Sequence, residues 1–395
     1  MRILALSSWW PEPPDNGIRL RITHLLRALA REHEVHLIAL SQRPVQPEEV
    51  QRLEQVCASV RATPQRGSPL TRTGIMASLW LPEPASVRAT WNLEFERLLV
   101  ESAASVRPDL VIAFEFATAP YARRLTGVPW VLEALEVAHL LEQYIRAGHA
   151  GRRLRSWLTW AKHRRYVKYL LSNCLACTTP SAREQDYIRA FAPRSLPITV
   201  VPNGADVETC AGDWGEPEPG TLIYPGALTY DANHDAMAFF LGACFPLIRA
   251  GFPDVRLRIT GKAEPEQRES LPTLEGVEFT GYVPDVRPVI ARSWAEVVPL
   301  RRGGGTRLKV LEALALGTPV VSTSKGIEGL DLDHGQHILV ADSAVDFAEA
   351  TLRLLAEPSL RHRLAQTGRQ RVRERYDWRM IGRQLNDLIR EVTRR

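Results

Sequence analysis

The chain is short of several things at once. It has five cysteines in 395 residues, an odd number with no framework spacing, which points to a reducing compartment rather than a disulfide scaffold. Cys174 and Cys177 form a CxxC, but in an apolar, strand-like run. The second pair of ligands that a zinc site needs is missing, so they read as core thiols. No apolar run approaches the roughly 18 residues of a membrane span. Met1-Arg2 leads straight into a strand-like segment and a turn, too short and too structured for a signal peptide. A cytoplasmic protein is the expectation. No DxD-type carboxylate pair stands at a strand end, no His or Cys spacing suggests a metal site, and neither a Ser-His-Asp set nor a GxGxxG occurs. No metal ion and no cofactor are expected.

What is present is ordinary globular composition, 45% hydrophobic and 24% charged, which excludes disorder. The length exceeds one ordinary core, so two domains are expected. A net charge of +5 permits an anionic partner without naming one.

The most informative stretch runs from Val298 to Thr323, VPLRRGGGTRLKVLEALALGTPVVST. Val297, Val298 and Leu300 form a short apolar run, ended by Gly303, Gly304 and Gly305. From Thr306 the apolar residues Leu308, Leu311, Ala315 and Leu316 fall at helical spacing. Gly317 stops that helix, and PVVST restarts as a buried strand. A glycine triplet opening a helix lets backbone approach a ligand and gathers free N–H groups where the dipole favours negative charge. Arg307 and Lys309 oppose that dipole, which hints at an anion nearby. An ordinary strand-to-helix turn with surface charges is the plainer alternative.

GGGTRLKVLEALALGTPVVST resembles the donor-site segment of glycosyltransferase family 4, the retaining enzymes of GT-B fold. The resemblance covers nearly the whole chain. It implies a glycine loop and helix start (Gly304, Gly305, Thr306) that hold a sugar-nucleotide diphosphate, and a glutamate, Glu312, on the ribose hydroxyls. Many members carry another glutamate eight residues earlier, where this chain has Gly304.

In chain order, Arg2–Ser8 reads as a strand, 9–17 as a loop, Ile18–Glu32 as an arginine-rich amphipathic helix and Glu34–Leu40 as a strand. That is a β-α-β unit of a doubly wound sheet. The resemblance places a phosphate-approaching glycine at Gly17, with Asn16 beside it; a helix cap by Asp15 or Asn16 is the alternative. Residues 44–107 read as helix and loop, with a turn at Trp80–Pro84. Asp109–Phe114 and Trp130–Leu135 are buried strands, and parallel order puts ligands at their carboxyl ends. Glu115 sits at one such end; Glu133, Glu136 and His139 sit at the other. The family's acceptor-side histidine falls on Leu135 here. Glu136 and His139 remain as acceptor candidates, with capping chemistry as the alternative for Glu136.

Gly151–Leu171 is strongly basic, with Trp157 and Trp160 three apart. It suits either an anionic membrane surface or a solvated surface helix whose aromatics pack inward. Nothing else supports nucleic acid binding. Cys174–Ser181 and Ile198–Val201 finish a first sheet, Pro202-Asn203-Gly204 resembles the family's hinge entry, and 212–220 reads as a linker.

A second alternation follows: strands at Thr221–Pro225, Val255–Thr260 and Val277–Val283, helices at about Asn233–Arg249 and Asp285–Arg292, then a last strand at His337–Ala341 and a helical tail from Ala344. Gly226 and Lys262 lie just past strand ends, where phosphates bind. Many family members place an Arg and a Lys after the Gly226 position; this chain offers Thr229, Asp231, Asn233 and His234. Lys262, Arg307 and Lys309 are therefore assigned as the cationic, catalytic groups. The resemblance puts the base near Tyr282-Val283, and Val283 is taken as donor-binding.

The fold expected is two Rossmann-like domains with an interdomain cleft and a final helix crossing back at Asp377-Trp378: an acceptor-side domain at 1–205 plus 378–395 and a donor domain at 206–377. The expected activity is retaining transfer from a nucleotide sugar to a glycan or lipid-linked acceptor, with peripheral membrane contact through 151–171. Two alternatives are a sugar-nucleotide epimerase of the same fold and a non-catalytic nucleotide-sugar binder.

Overall fold

The computed structural model describes residues 1–65, 83–89, 91–137, 141, 144–145, 149–304 and 307–394. They form two compact units, Met1–Pro202 with Ile381–Arg395, and Asn203–Met380.

The first unit holds a seven-stranded sheet in the order β3-β2-β1-β4-β5-β6-β7. Its strands are β1 Arg2–Ser7, β2 Glu34–Ser41, β3 Ser59–Pro64, β4 Leu110–Phe114, β5 Trp130–Glu133, β6 Ala176–Thr179 and β7 Ile198–Val200. Every pairing is parallel. The central strands are mostly apolar and buried on both faces, as parallel sheets require: Leu4, Leu6, Val111, Ala113 and Leu132 are all fully buried. Strand β3 lies in the stretch read as helix and loop. It is an edge strand, half exposed, carrying Arg61 and ending in Pro64, so it shows no apolar run; charge and proline are how edges avoid further pairing.

The first helix, α1, spans Gly17–Ala30 and buries Ile22, Leu25, Leu26 and Leu29. The basic helix α2 spans Ala150–Leu171.

The second unit repeats the plan with six strands in the order β10-β9-β8-β11-β12-β13. They are β8 Glu218–Pro225, β9 Arg256–Thr260, β10 Val277–Gly281, β11 Ser293–Val298, β12 Val320–Ser322 and β13 Leu339–Val340, all parallel. The strand β8 starts inside the stretch read as linker, since Glu218 pairs with Ser293. The helix read as continuous from Asn233 is α3, Asp231–Phe239, followed by a π turn at Phe240–Cys244 and a further helix at Phe245–Gly251. Pro246 inside this run has no N–H to give. Helix α4, Leu308–Leu316, follows β11 and ends at Gly317 with φ 84°.

Three helices form the tail, Ala344–Ala356, Pro358–Arg375 and Trp378–Thr393. Asp377 pairs in parallel with Ala205 just before the last helix starts. That last helix packs within the first unit: Asn386 Nδ2 donates to Ala28 O at 3.0 Å and Arg390 pairs with Glu32 at 2.7 Å.

Candidate active site

In an open parallel sheet the strand order reverses at one point, where neighbouring crossovers leave on opposite faces and a crevice opens at the carboxyl ends. In the second unit this falls between β8 and β11. The chain leaves β8 at Gly226 and leaves β11 toward the glycine loop, so both glycine positions picked from sequence belong to this one crevice edge.

Gly226 is packed tightly. A Cβ there would stand 2.7 Å from Lys309 Nζ and 2.9 Å from Asn233 Nδ2. Its N–H donates to Thr260 O at 3.0 Å, and Leu228 N donates to Lys262 O at 2.8 Å. Gly261, at φ +107°, lies against the backbone of Gly226 and Ala227. Tyr224, near the end of β8, donates its hydroxyl to Asn233 Oδ1 at 2.8 Å, while Asn233 Nδ2 donates to Ala227 O at 2.9 Å. Lys309 reaches back from the first turn of α4 to this group. Its ammonium lies 3.9 Å from the Tyr224 ring centroid and 3.4 Å from Asn233 Oδ1. Burial, opposed by Glu296 and assisted by Arg307, pushes its pKa down to about 7.

Arg307 caps α4 rather than standing inside it, because the helix begins at Leu308 and not at Thr306. Its guanidinium is buried and donates to Gly304 O at 2.5 Å and Gly303 O at 2.8 Å. It thus fixes the carbonyls of the glycine loop, where Gly303 takes φ +103°. Arg301 and Arg302 tie the loop's start to α3 through Asp235 at 2.9 Å and Asp231 at 3.0 Å. Gly305 and Thr306 lie outside the described residues.

Glu312 sits one turn beyond Lys309, half-buried, with no hydrogen-bond partner among the described residues. Burial raises its pKa, Arg287 opposes the rise and Asp285 adds to it. Arg287 itself is held by Asp285 at 2.8 Å. A carboxylate with no hydrogen-bond partner among the described residues is suited to accept from vicinal hydroxyls. Lys262 does not join Lys309: its ammonium is 70% exposed and pairs with Glu264 at 2.9 Å. Only its backbone meets the Gly226 loop. Val283 lies just past the end of β10, the edge strand, next to exposed Tyr282.

Sequence reasoning passed over Tyr224 and Glu296. Glu296, midway along β11, is fully buried. A lone acid in the run Trp294-Ala295-Glu296-Val297-Val298 was the available signal.

The first unit has its own reversal point between β1 and β4. Asn16 caps α1 there, its side chain accepting from Arg19 N at 3.1 Å, and Gly17 is the first helical residue. Glu115, just past β4, is held in the left-handed region at φ 68°, a costly conformation for a side-chain-bearing residue. Its carboxylate accepts from Ser8 Oγ. Burial raises it to about 7; Ser8 opposes this, and Glu133 and Glu136 add to it. Glu133, fully buried, is clamped by Arg21, whose Nε donates to Oε1 at 3.0 Å, and accepts from Thr178 Oγ1 at 3.2 Å. Arg21 also donates to Val201 O at 2.7 Å and Pro202 O at 2.9 Å. Glu136 is half-buried close by. Leu135, at the expected histidine position, is fully buried in the apolar core. His139 lies outside the described residues.

Among the described residues no group of three or more His, Cys, Asp and Glu side chains could hold a metal ion, and no helix is long and apolar enough to cross a membrane.

Comparison with known proteins matches residues 16–204 to the model described as "Glycosyl transferase 4-like domain" and 219–357 to "Glycosyl transferases group 1". A glycogen synthase of Mycobacterium tuberculosis is 27% identical over 404 residues, covering 96% of this chain and 92% of that one. A phosphatidyl-myo-inositol mannosyltransferase of Mycobacterium leprae is 31% identical over 195 residues, covering 47% of this chain and 51% of its own. Among solved structures, sucrose-phosphate synthase from Thermosynechococcus elongatus superposes with a TM-score of 0.70 at 18% identity over 99% of both chains. The HepE protein of Anabaena, solved in complex with UDP, gives 0.67 at 15% identity over 99% of this chain and 100% of that one. The solved structures share the two-sheet GT-B fold, and the two family models, which together span most of the chain, with the curated relatives place it in the group 1 glycosyltransferases of family 4: it is a glycosyltransferase of GT-B fold.

Proposed function

We propose that this glycosyltransferase moves a sugar from a nucleoside diphosphate sugar to an acceptor hydroxyl with retention of anomeric configuration. The observation that carries the reading is the convergence of Gly226, Lys309 and the glycine loop where β8 and β11 part. Leaving-group departure loads negative charge onto the diphosphate. A lysine held by Asn233, and a loop whose carbonyls are already fixed by Arg307, meet that charge without reorganising. Lys309 touches the phosphates in this scheme; Arg307 acts through the loop. Glu312 takes the ribose hydroxyls. The departing phosphate accepts the acceptor's proton on the same face of the sugar, so no protein nucleophile and no metal ion are called for.

The acceptor belongs to the first unit, around Glu115 and Glu136. A glycan or lipid-linked acceptor, in cell-surface polysaccharide, glycolipid or glycoconjugate synthesis, is supported by relatives named for phosphatidyl-myo-inositol. Helix α2 adds to this: Leu154, Trp157 and Leu158 are exposed at 59%, 46% and 47% among arginines, while Trp160 packs on Phe191. An exposed apolar cluster within positive charge fits the surface of an anionic bilayer on the inner membrane face.

The test is turnover with a panel of UDP-, GDP- and dTDP-sugars, with the product anomer read by NMR. Lys309→Met lowers turnover well over tenfold. An inverted anomer, a new sugar nucleotide formed without acceptor, or near-wild-type turnover in Lys309→Met would each overturn the reading.

A further inference from the structure

Glu296 has no part in the chemistry above. It lies in β11 between Ile223 of β8 and Val320 of β12, with no solvent exposure. Neither carboxylate oxygen has a hydrogen-bond partner among the described residues. An isolated buried carboxylate costs several kcal/mol, and proteins avoid that by neutralising it or pairing it.

The charged and titratable groups around it are few. Lys309 and Glu312 act on it from α4, and it acts on Tyr224 from β11. Arg307 acts on Lys309 and Tyr224 but spends its guanidinium on the glycine loop. Lys309 would be the natural counter-ion for Glu296, yet the two are not in contact. The ammonium instead meets a neutral amide oxygen and an aromatic face, and among the described residues it hydrogen-bonds no carboxylate. With the two ions left apart, Glu296, which has no solvent exposure, would bear a full desolvation penalty and half-buried Lys309 part of one, whereas two neutral groups bear little of it. Burial accordingly pushes Glu296 well up and Lys309 down to about 7.

We propose that above neutral pH Lys309 is largely uncharged beside a protonated Glu296 in the free enzyme and takes up close to one proton from solvent when the donor's diphosphate arrives. Glu296 is a positioning residue: it reaches the donor only through Lys309. An ionised Glu296 would hold the ammonium permanently charged and compete with the diphosphate for it. A protonated one leaves the new charge to the phosphate alone. The proton comes from bulk water to Nζ and returns when the nucleoside diphosphate leaves. This rests on the reading that the diphosphate binds at Gly226 and Lys309.

The experiment is isothermal titration calorimetry of UDP-glucose and GDP-mannose into the full chain, in buffers of different ionisation enthalpy. The intact pyrophosphate diester does not titrate near neutrality, so the protons counted belong to the protein. Close to one proton is taken up per donor at about pH 8 and almost none at about pH 6, and affinity falls about tenfold per pH unit above about 7. Lys309→Met abolishes the uptake. Glu296→Gln, neutral and nearly isosteric, keeps both the proton count and the pH profile. Binding without proton uptake at about pH 8, or a profile that shifts in Glu296→Gln, overturns the inference and leaves the function standing. If neither donor binds, the function itself falls and this inference with it.

Discussion

Replacing Glu115 by glutamine tests whether the first unit stores destabilising charge at its reversal point. The carboxyl is raised from 4.5 to about 7, chiefly by burial. An acid whose folded pKa is raised binds extra protons in the native state between those two values. Its penalty is therefore absent below about pH 4.5 and complete above about pH 7. The full shift corresponds to about 3 kcal/mol. Glu115 is only half-buried, so screening brings the expected figure to about 1.5 kcal/mol. Glutamine keeps a carbonyl oxygen for Ser8 Oγ and cannot ionise. Urea denaturation followed by tryptophan fluorescence, run at about pH 5 and about pH 8, reads the difference. Glu115→Gln gains about 1.5 kcal/mol at the higher pH and a few tenths at the lower. An equal gain at both pH values would show that the substitution acts through packing or backbone strain, and the electrostatic account of this site would be wrong.

Arg21→Met leaves Glu133 buried and unpaired, and costs about 3–5 kcal/mol; the double variant Arg21→Met/Glu133→Leu recovers most of it, because removing both charges removes the desolvation penalty. Urea midpoints of the three proteins check this. The glycines of the second unit separate function from fold. Gly226→Ala meets the movable end of Lys309 and the amide of Asn233, which Tyr224 and Ala227 hold, so it costs about 1 kcal/mol while turnover falls more than tenfold. Gly261→Ala meets Ala227 N at 2.7 Å with φ at +107° and loses about 2 kcal/mol or more. Thermal melts beside turnover distinguish the two.

Much of the fold was legible because buried parallel strands announce themselves. LVIAF is a continuous apolar run followed by Glu115, and WVL is one that ends in Glu133. The strand β3 was illegible for the opposite reason: half exposed at an edge, with Arg61 and Pro64, it has no apolar face to reveal it. The glycine loop and Lys309 could be picked from sequence as a glycine run at a helix start beside cations, with an ordinary strand-to-helix turn as the plainer alternative. Their three-dimensional partners could not. Tyr224 and Asn233 are nine residues apart in sequence and meet Lys309 only because β8 and β11 are neighbours in the sheet. Arg307 looked identical to Lys309 as a positive charge beside glycines. Side-chain length and fork geometry decided otherwise, turning the guanidinium onto two carbonyls of its own loop.

The two units share a physical rule. At each reversal point an acid bears a raised pKa: Glu115 beside the end of β1, and Glu296 in the strand next to β8. Parallel sheets produce this by construction. Their strands are buried on both faces, so a polar residue within a strand or just past its carboxyl end is desolvated by the sheet yet stays close to the crevice. A group in that place cannot be made stable without pairing it, and a fully paired group has nothing left for a ligand. The contrast within the first unit follows from this. Glu133, bound by Arg21 and Thr178, is spent on structure. Glu115, with a single hydroxyl donor from Ser8 and a strained backbone, is left with lone pairs that no described residue takes up.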